Sequence, residues 1–158
     1  MSKRPDIGSA VYVLNGPNLN LLGVREPHLY GHTTLAQIER SCHAVTEELG
    51  LGCEFRQSNH EGFLVDWVQE ARERNAAIVI NPAGLSFRSI PLLDALKTIT
   101  QPIAEVHITN IHRRDALYQQ SLVSTAAMGV ICGFGPYGYE MAIRAVAFQL
   151  NLAALTPA

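Results

Sequence analysis

Short apolar runs alternate along this chain with stretches whose apolar positions recur at helical spacing. Ala10–Leu14, Gly52–Gln57, Ala77–Asn81, Ile103–Ile108 and Gly129–Cys132 read as strands. Between them, Thr33–Leu49, Gly62–Arg74 and Ile90–Thr98 carry the helical period, with Thr33 or Thr34 near the cap of the first. A short helix around Arg114–Gln119 and a last helix over Tyr139–Leu150 complete the set. The strands are continuous apolar runs and not alternations, and crossover helices separate them. Both features predict a parallel sheet covered on its two faces.

Five strands with this spacing predict an α/β fold, a flavodoxin-like, doubly wound sheet in three αβα layers. We expect a single catalytic domain over residues 10–152, a flexible N-terminal segment over 1–9 and a tail over 153–158. In such sheets ligands bind in the crevice beyond the carboxyl ends of the strands. That rule gathers Asn15–Gly31, Gln57–Glu61, Asn81–Ser89, Glu105–Arg114 and Gly133–Tyr139 onto one edge. The first of these is a long loop with neither helical nor strand period, and long ordered loops in compact domains are usually functional. Its asparagines, Arg25 and Tyr30 suit a lid that positions polar atoms.

A chain of 158 residues, 47% apolar and 16% charged, has the composition of a soluble globular protein. One domain of this size buries about 68–70% of the surface its unfolded chain exposes. A formal charge of −2 offers no basic footprint for nucleic acid, so small molecules and copies of itself are the expected partners. No apolar run approaches the roughly 18 residues of a membrane span, and the start lacks the apolar segment of a secretory signal. No membrane association and a cytoplasmic address are expected. Cys42, Cys53 and Cys132 are an odd number without CxxC spacing, which predicts reduced thiols.

Several motifs carry possible chemistry. Gly133-Phe-Gly135-Pro-Tyr-Gly138 fits the G-x-G-x-x-G pattern between a strand and a helix, yet no strand follows to supply an acidic ribose ligand. A tight turn is the expected role. The six histidines lack zinc-site spacing, so no metal and no cofactor are expected. Glu105 and His107, two apart on a strand, point to the same side, where the carboxylate could hold one imidazole tautomer. The pair reads either as an oriented acid or base or as a satisfied strand-end histidine. Tyr30 shares the lid with Arg25, and Arg114 lies beyond the fourth strand on the same edge. A guanidinium about 5 Å from a phenolate, at an effective dielectric near 20, is worth roughly 3 kcal/mol. Tyr30 is thus a candidate general base, or else a lid tyrosine packing on its neighbours.

Five motifs in register carry a family resemblance: Asn15-Gly-Pro-Asn18-Leu-Asn-Leu-Leu-Gly23-x-Arg25-Glu-Pro-x-x-Tyr30-Gly31, Gln57-Ser-Asn-x-Glu-Gly62, Asn81-Pro82, Glu105-Val-His107-x-x-Asn110-x-x-x-Arg114 and Gly129-Val-Ile-x-Gly-x-Gly135-x-x-Gly-Tyr139. Together they resemble the type II 3-dehydroquinate dehydratases, from about Val11 to Leu150. The resemblance implies a cofactor-free elimination of water from a cyclic β-hydroxy ketone carboxylate. It makes Tyr30 the base, with Arg25 and Arg114 holding its phenolate, and it gives Asn18 with the Pro17 backbone a water that stabilises the enolate. His107, oriented by Glu105, would protonate the departing hydroxyl. Asn81 and the amides of Ile108 and Thr109 would grip the carboxylate. Asp94 would reach a neighbouring subunit's site in a dodecamer built from trimers.

Two departures fall where the family reads the ring hydroxyls. In place of Thr-His-Thr-Ser the chain has Ser86-Phe87-Arg88-Ser89, and in place of a substrate-binding arginine it has Tyr118. The acid–base set is kept and the hydroxyl reader is not. Arg88 is a candidate replacement cation. The expected function is therefore dehydration of 3-dehydroquinate or a close relative. The alternatives are a paralogue of altered specificity and an inactive binder of cyclic carboxylates.

Overall fold

The computed structural model describes residues 10–155. Five strands form one all-parallel sheet in the order β2-β1-β3-β4-β5: β1 (Ala10–Asn15), β2 (Gly52–Gln57), β3 (Ala77–Asn81), β4 (Ile103–His107) and β5 (Gly129–Cys132). This is the doubly wound order that the strand and helix alternation predicts. Asn15 lies in register with both Gln57 and Asn81, so three polar residues end the adjacent strands β2, β1 and β3 at one level.

Successive strand residues face opposite sides of the sheet, and each side has its own core. Val11, Val13, Val79 and Val106 pack with Ile38 and Val45 of α2 (Leu35–Glu48) and with Tyr139 and Ile143 of α5 (Tyr137–Leu155). On the other face, Tyr12, Leu14, Ile78 and Ile80 meet Leu64 and Val68 of α3 (Glu61–Glu73) and Leu92 and Leu96 of α4 (Ile90–Leu96). Burial on both sides is why these strands read as unbroken apolar runs. Each such aliphatic side chain contributes about 1.5–3 kcal/mol relative to exposure.

Helix starts are fixed by local chemistry. Thr34, and not Thr33, caps α2: its side chain accepts from the Gln37 amide while the Gln37 side chain accepts from the Thr34 amide. Ser89 caps α4 by accepting from Leu92 N at 3.1 Å, and its hydroxyl donates to Glu61 Oε2 at 2.6 Å, tying α4 to α3.

Three readings need correction. The loop over Asn15–Gly31 contains a 3-10 turn at Leu19–Leu21 and the one-turn helix α1 (Pro27–Tyr30), both too short to show a period. Pro27 starts α1 at a position where a missing N–H costs nothing. The stretch around Arg114–Gln119 is not one helix but follows a 3-10 turn at Ile111–Arg113 with a second at Ala116–Tyr118, separated by an extended Arg114 at φ −90°, ψ 179°. The last helix begins at Tyr137 and runs on to Leu155, into the segment assigned to a tail, because leucine and alanine continue there as good helix formers. Residues 1–9 and 156–158 lie outside the described part.

Among the described residues, no helix is long and apolar enough to cross a membrane. All three cysteines are free thiols. Burial pushes the Cys42 thiol far up and that of Cys53 up to about 11, which suits packing and not nucleophilic work.

Candidate active site

A cavity of about 230 Å³ opens at the carboxyl edge of the sheet. The lid over Asn15–Gly31, the ends of β3 and β4 and the turns after β4 enclose it. The lid leaves the sheet through Gly16, whose N–H donates to the Asn81 carbonyl at 2.8 Å. A Cβ at Gly16 would stand 2.2 Å from the Pro82 carbonyl oxygen, so no other residue fits without moving the backbone. Asn18 then turns the chain at φ 69°, a left-handed conformation that asparagine tolerates better than most residues. The Asn59 side chain holds this turn, accepting from Asn18 N at 2.9 Å and from Gln57 Nε2 at 3.1 Å.

Tyr30 closes α1 on the cavity wall. The guanidinium of Arg25 stands 5.4 Å from the centre of its ring, and that of Arg114 stands 5.8 Å from it. Arg114 is also packed on Tyr118, at 4.1 Å from the ring centre. Two cations from different segments therefore converge on one phenol. Arg25 also approaches Glu26 at 3.5 Å, but that pair is solvent-exposed and contributes little.

Across the cavity, Glu105 and His107 share one face of β4. Glu105 is fully buried, and its Oε1 lies 2.9 Å from His107 Nε2. Ser121 donates to the same oxygen and Ser124 to the other. Burial alone would push the Glu105 carboxyl up, but the bonds from His107, Ser121 and Ser124 together hold it below the ordinary value. An ionised carboxylate only accepts, so Nε2 carries the hydrogen in this pair and Nδ1 is the remaining nitrogen of the ring. The Phe87 ring stacks on the imidazole at 6.2 Å between centroids and 28° between planes, and meets Tyr118 edge-on at 5.4 Å.

Asn81, Ile108 and Thr109 border the same cavity, so the base candidate, the acid candidate and the proposed carboxylate grip share one space. Glu105 stands behind His107. Two candidates are not brought in. Arg88 is exposed and Asp94 is exposed on α4, and neither borders this chain's cavity. The backbone of the turn Ala83–Phe87 directs Phe87 inward, and Arg88 follows it with φ −145°, pointing away. Arg88 is therefore no substitute for the missing histidine within this chain.

Sequence reasoning missed Ser121, Ser124, Asn59 and Tyr139. The first two carry only the weak signal of two serines three apart after β4, whereas Asn59 stood inside a quoted motif without a role. The glycine-rich segment 133–138 turns tightly out of β5 and into the first residues of α5, with Gly133 at φ 93° and Gly135 at φ 62°. Among the described residues, no three histidine, cysteine or acidic side chains gather as a metal site would require.

Comparison with known proteins bears on this geometry. The family model described as dehydroquinase class II matches residues 9–147. The chain is 55% identical over 140 residues to 3-dehydroquinate dehydratase 1 of Agrobacterium fabrum, covering 89% of this chain and 97% of that one. It is equally identical, over 141 residues, to the 3-dehydroquinate dehydratase of Mesorhizobium japonicum, covering 89% and 98%. Its structure superposes on the type II dehydroquinase of Propionibacterium acnes with a TM-score of 0.86 at 39% identity, over 90% of this chain and 99% of that one. On the family-model match, the identity to these relatives and the shared fold, the chain belongs to the class II dehydroquinase family.

Proposed function

We propose that this chain eliminates water from 3-dehydroquinate through an enolate, using its own side chains. Tyr30 removes the proton next to the ketone, and Arg25 and Arg114 set positive charge against the resulting phenolate. Asn18, with a water held beside the Pro17 backbone, faces the oxygen on which the enolate charge develops. Asn81 and the amides of Ile108 and Thr109 hold the carboxylate. His107 delivers a proton to the departing hydroxyl, and Glu105 sets its orientation.

One observation carries the reading: Tyr30 and His107 border a single cavity, the phenol beside two cations and the imidazole backed by a buried carboxylate. The relatives named as 3-dehydroquinate dehydratases support the choice of substrate. Incubation with dehydroquinate should raise the ultraviolet absorbance of a conjugated enone, and Tyr30→Phe should abolish the rise. Silence from the wild type, or a variant as fast as the wild type, refutes it.

The same reading includes assembly with copies of itself. Asp94 is exposed outside the cavity, and Met128, Phe134 and Tyr137 are large apolar side chains left more than half exposed. Such surface suits contact with a neighbouring subunit.

A further inference from the structure

A line of hydrogen bonds runs from backbone to backbone behind the cavity. Ala83 N donates to Asn81 Oδ1 at 3.2 Å, and Asn81 Nδ2 donates to the Tyr139 hydroxyl at 2.9 Å. That hydroxyl donates to Asn15 Oδ1 at 2.7 Å, and Asn15 Nδ2 donates to the Arg56 carbonyl at 3.1 Å. Its two ends fix its direction. A backbone amide can only donate and a backbone carbonyl can only accept, so each link between them donates the same way. Tyr139 has one hydroxyl hydrogen, given to Asn15, and must therefore receive from the nitrogen of Asn81.

Asn15 and Tyr139 are fully buried and Asn81 nearly so, so a reversed amide would leave two groups facing like partners away from water. Burial also pushes the Tyr139 phenol far up, which keeps it a donor. Asn81 borders the cavity, and its second Nδ2 hydrogen has no acceptor among the described residues.

We infer that Tyr139 and Asn15 are positioning residues that lock the Asn81 amide with its donor available to the cavity, so that this corner selects an anionic oxygen over an uncharged amide. The inference deepens the proposed function and rests on Asn81 gripping the substrate carboxylate. It assigns the selectivity to residues that never touch the ligand.

Calorimetric binding of quinate and of its carboxamide tests it. Quinate is the substrate with the ketone reduced to an alcohol, so it binds without reacting. The wild type should prefer the carboxylate by about 10²-fold, and Tyr139→Phe should narrow that preference about tenfold, with KM for dehydroquinate rising more than kcat falls. Asn15→Ala leaves the phenol in place, and should narrow the preference in the same direction if Tyr139→Phe folds poorly. A folded variant that loses both ligands by the same factor overturns the inference, since general loosening does not distinguish them. If the wild type turns over dehydroquinate while the preference stays unchanged in both variants, the inference alone fails. If the wild type neither binds quinate nor turns over dehydroquinate, the reading of the site fails and takes the inference with it.

Discussion

Replacing Glu105 by glutamine separates what the buried carboxylate does for the fold from what it does for the reaction. The carboxylate accepts from His107 Nε2 at 2.9 Å and from the Ser121 and Ser124 hydroxyls. Hydrogen bonds to a charged group are worth about 1.5–3 kcal/mol and neutral ones about 0.5–1.5, so three weakened bonds cost roughly 3–4 kcal/mol. The variant is also spared the desolvation of a buried charge, itself several kcal/mol. These effects nearly cancel. The fold should shift by less than about 2 kcal/mol, a few degrees in Tm for a chain of this size.

Catalysis should behave differently. The new amide presents N–H₂ either to Ser124 alone or to Ser121 and the imidazole together, and in the second arrangement the ring abandons its tautomer. A positioned acid is worth about 10²–10⁴ in rate, or roughly 3–5 kcal/mol. Dehydration followed by absorbance should fall within that range for Glu105→Gln. Exchange of the proton next to the ketone with deuterated solvent, followed by NMR, reports the Tyr30 step and should stay within about fivefold of the wild type. If both signals fall together, or neither falls, the division of labour between Tyr30 and His107 is wrong.

Two further outcomes follow from other parts of the molecule. Hydrogen bonds from Arg56, assisted by Tyr12 and opposed by partial burial, hold the Glu70 carboxyl at about 2, below the ordinary 4.5. A lowered folded-state value gives stability that is complete above the unfolded value and lost as pH falls through the folded one. The urea midpoint of the wild type should therefore exceed that of Glu70→Gln at pH 6, with the gap closing between about pH 4.5 and 2; a gap that is constant with pH contradicts the ion pair. Phe87→His combined with Tyr118→Arg restores polar partners where the wall is now aromatic, and at about 1–3 kcal/mol per recovered bond should raise kcat/KM for dehydroquinate at least tenfold. No gain would show that the wall does not limit this substrate.

Ala77–Asn81 was legible because an apolar run buried on both faces needs no tertiary context to be seen, and the half-buried Gly52–Gln57 and the partly exposed Gly129–Cys132 also stand at the boundaries read from sequence. Period two likewise put Glu105 beside His107. The lid was legible as a place but not as a shape, since its two turns depend on Asn18 and Glu26 at positive φ and not on any periodicity. Ser121 and Ser124 were hidden because their approach to Glu105 depends on the path of the chain after Gln119. Phe87 and Arg88 are neighbours, and only the backbone of one short turn decides which of them faces the ligand.

The contact of Gly16 with Pro82 has a consequence for how such a protein can diverge. Because the lid root and the end of β3 touch backbone to backbone, any shift of Asn81 is passed to the segment that carries Asn18, Arg25 and Tyr30. The proposed base and the proposed carboxylate anchor thus form one jaw, and alterations at its root reach both. The opposite rim, where Phe87 and Tyr118 hang from short turns, is fastened apart from the lid root, by Leu122 N donating to the Ser86 carbonyl at 2.7 Å. Novelty in what is recognised can accumulate on that side while the reaction itself stays the same.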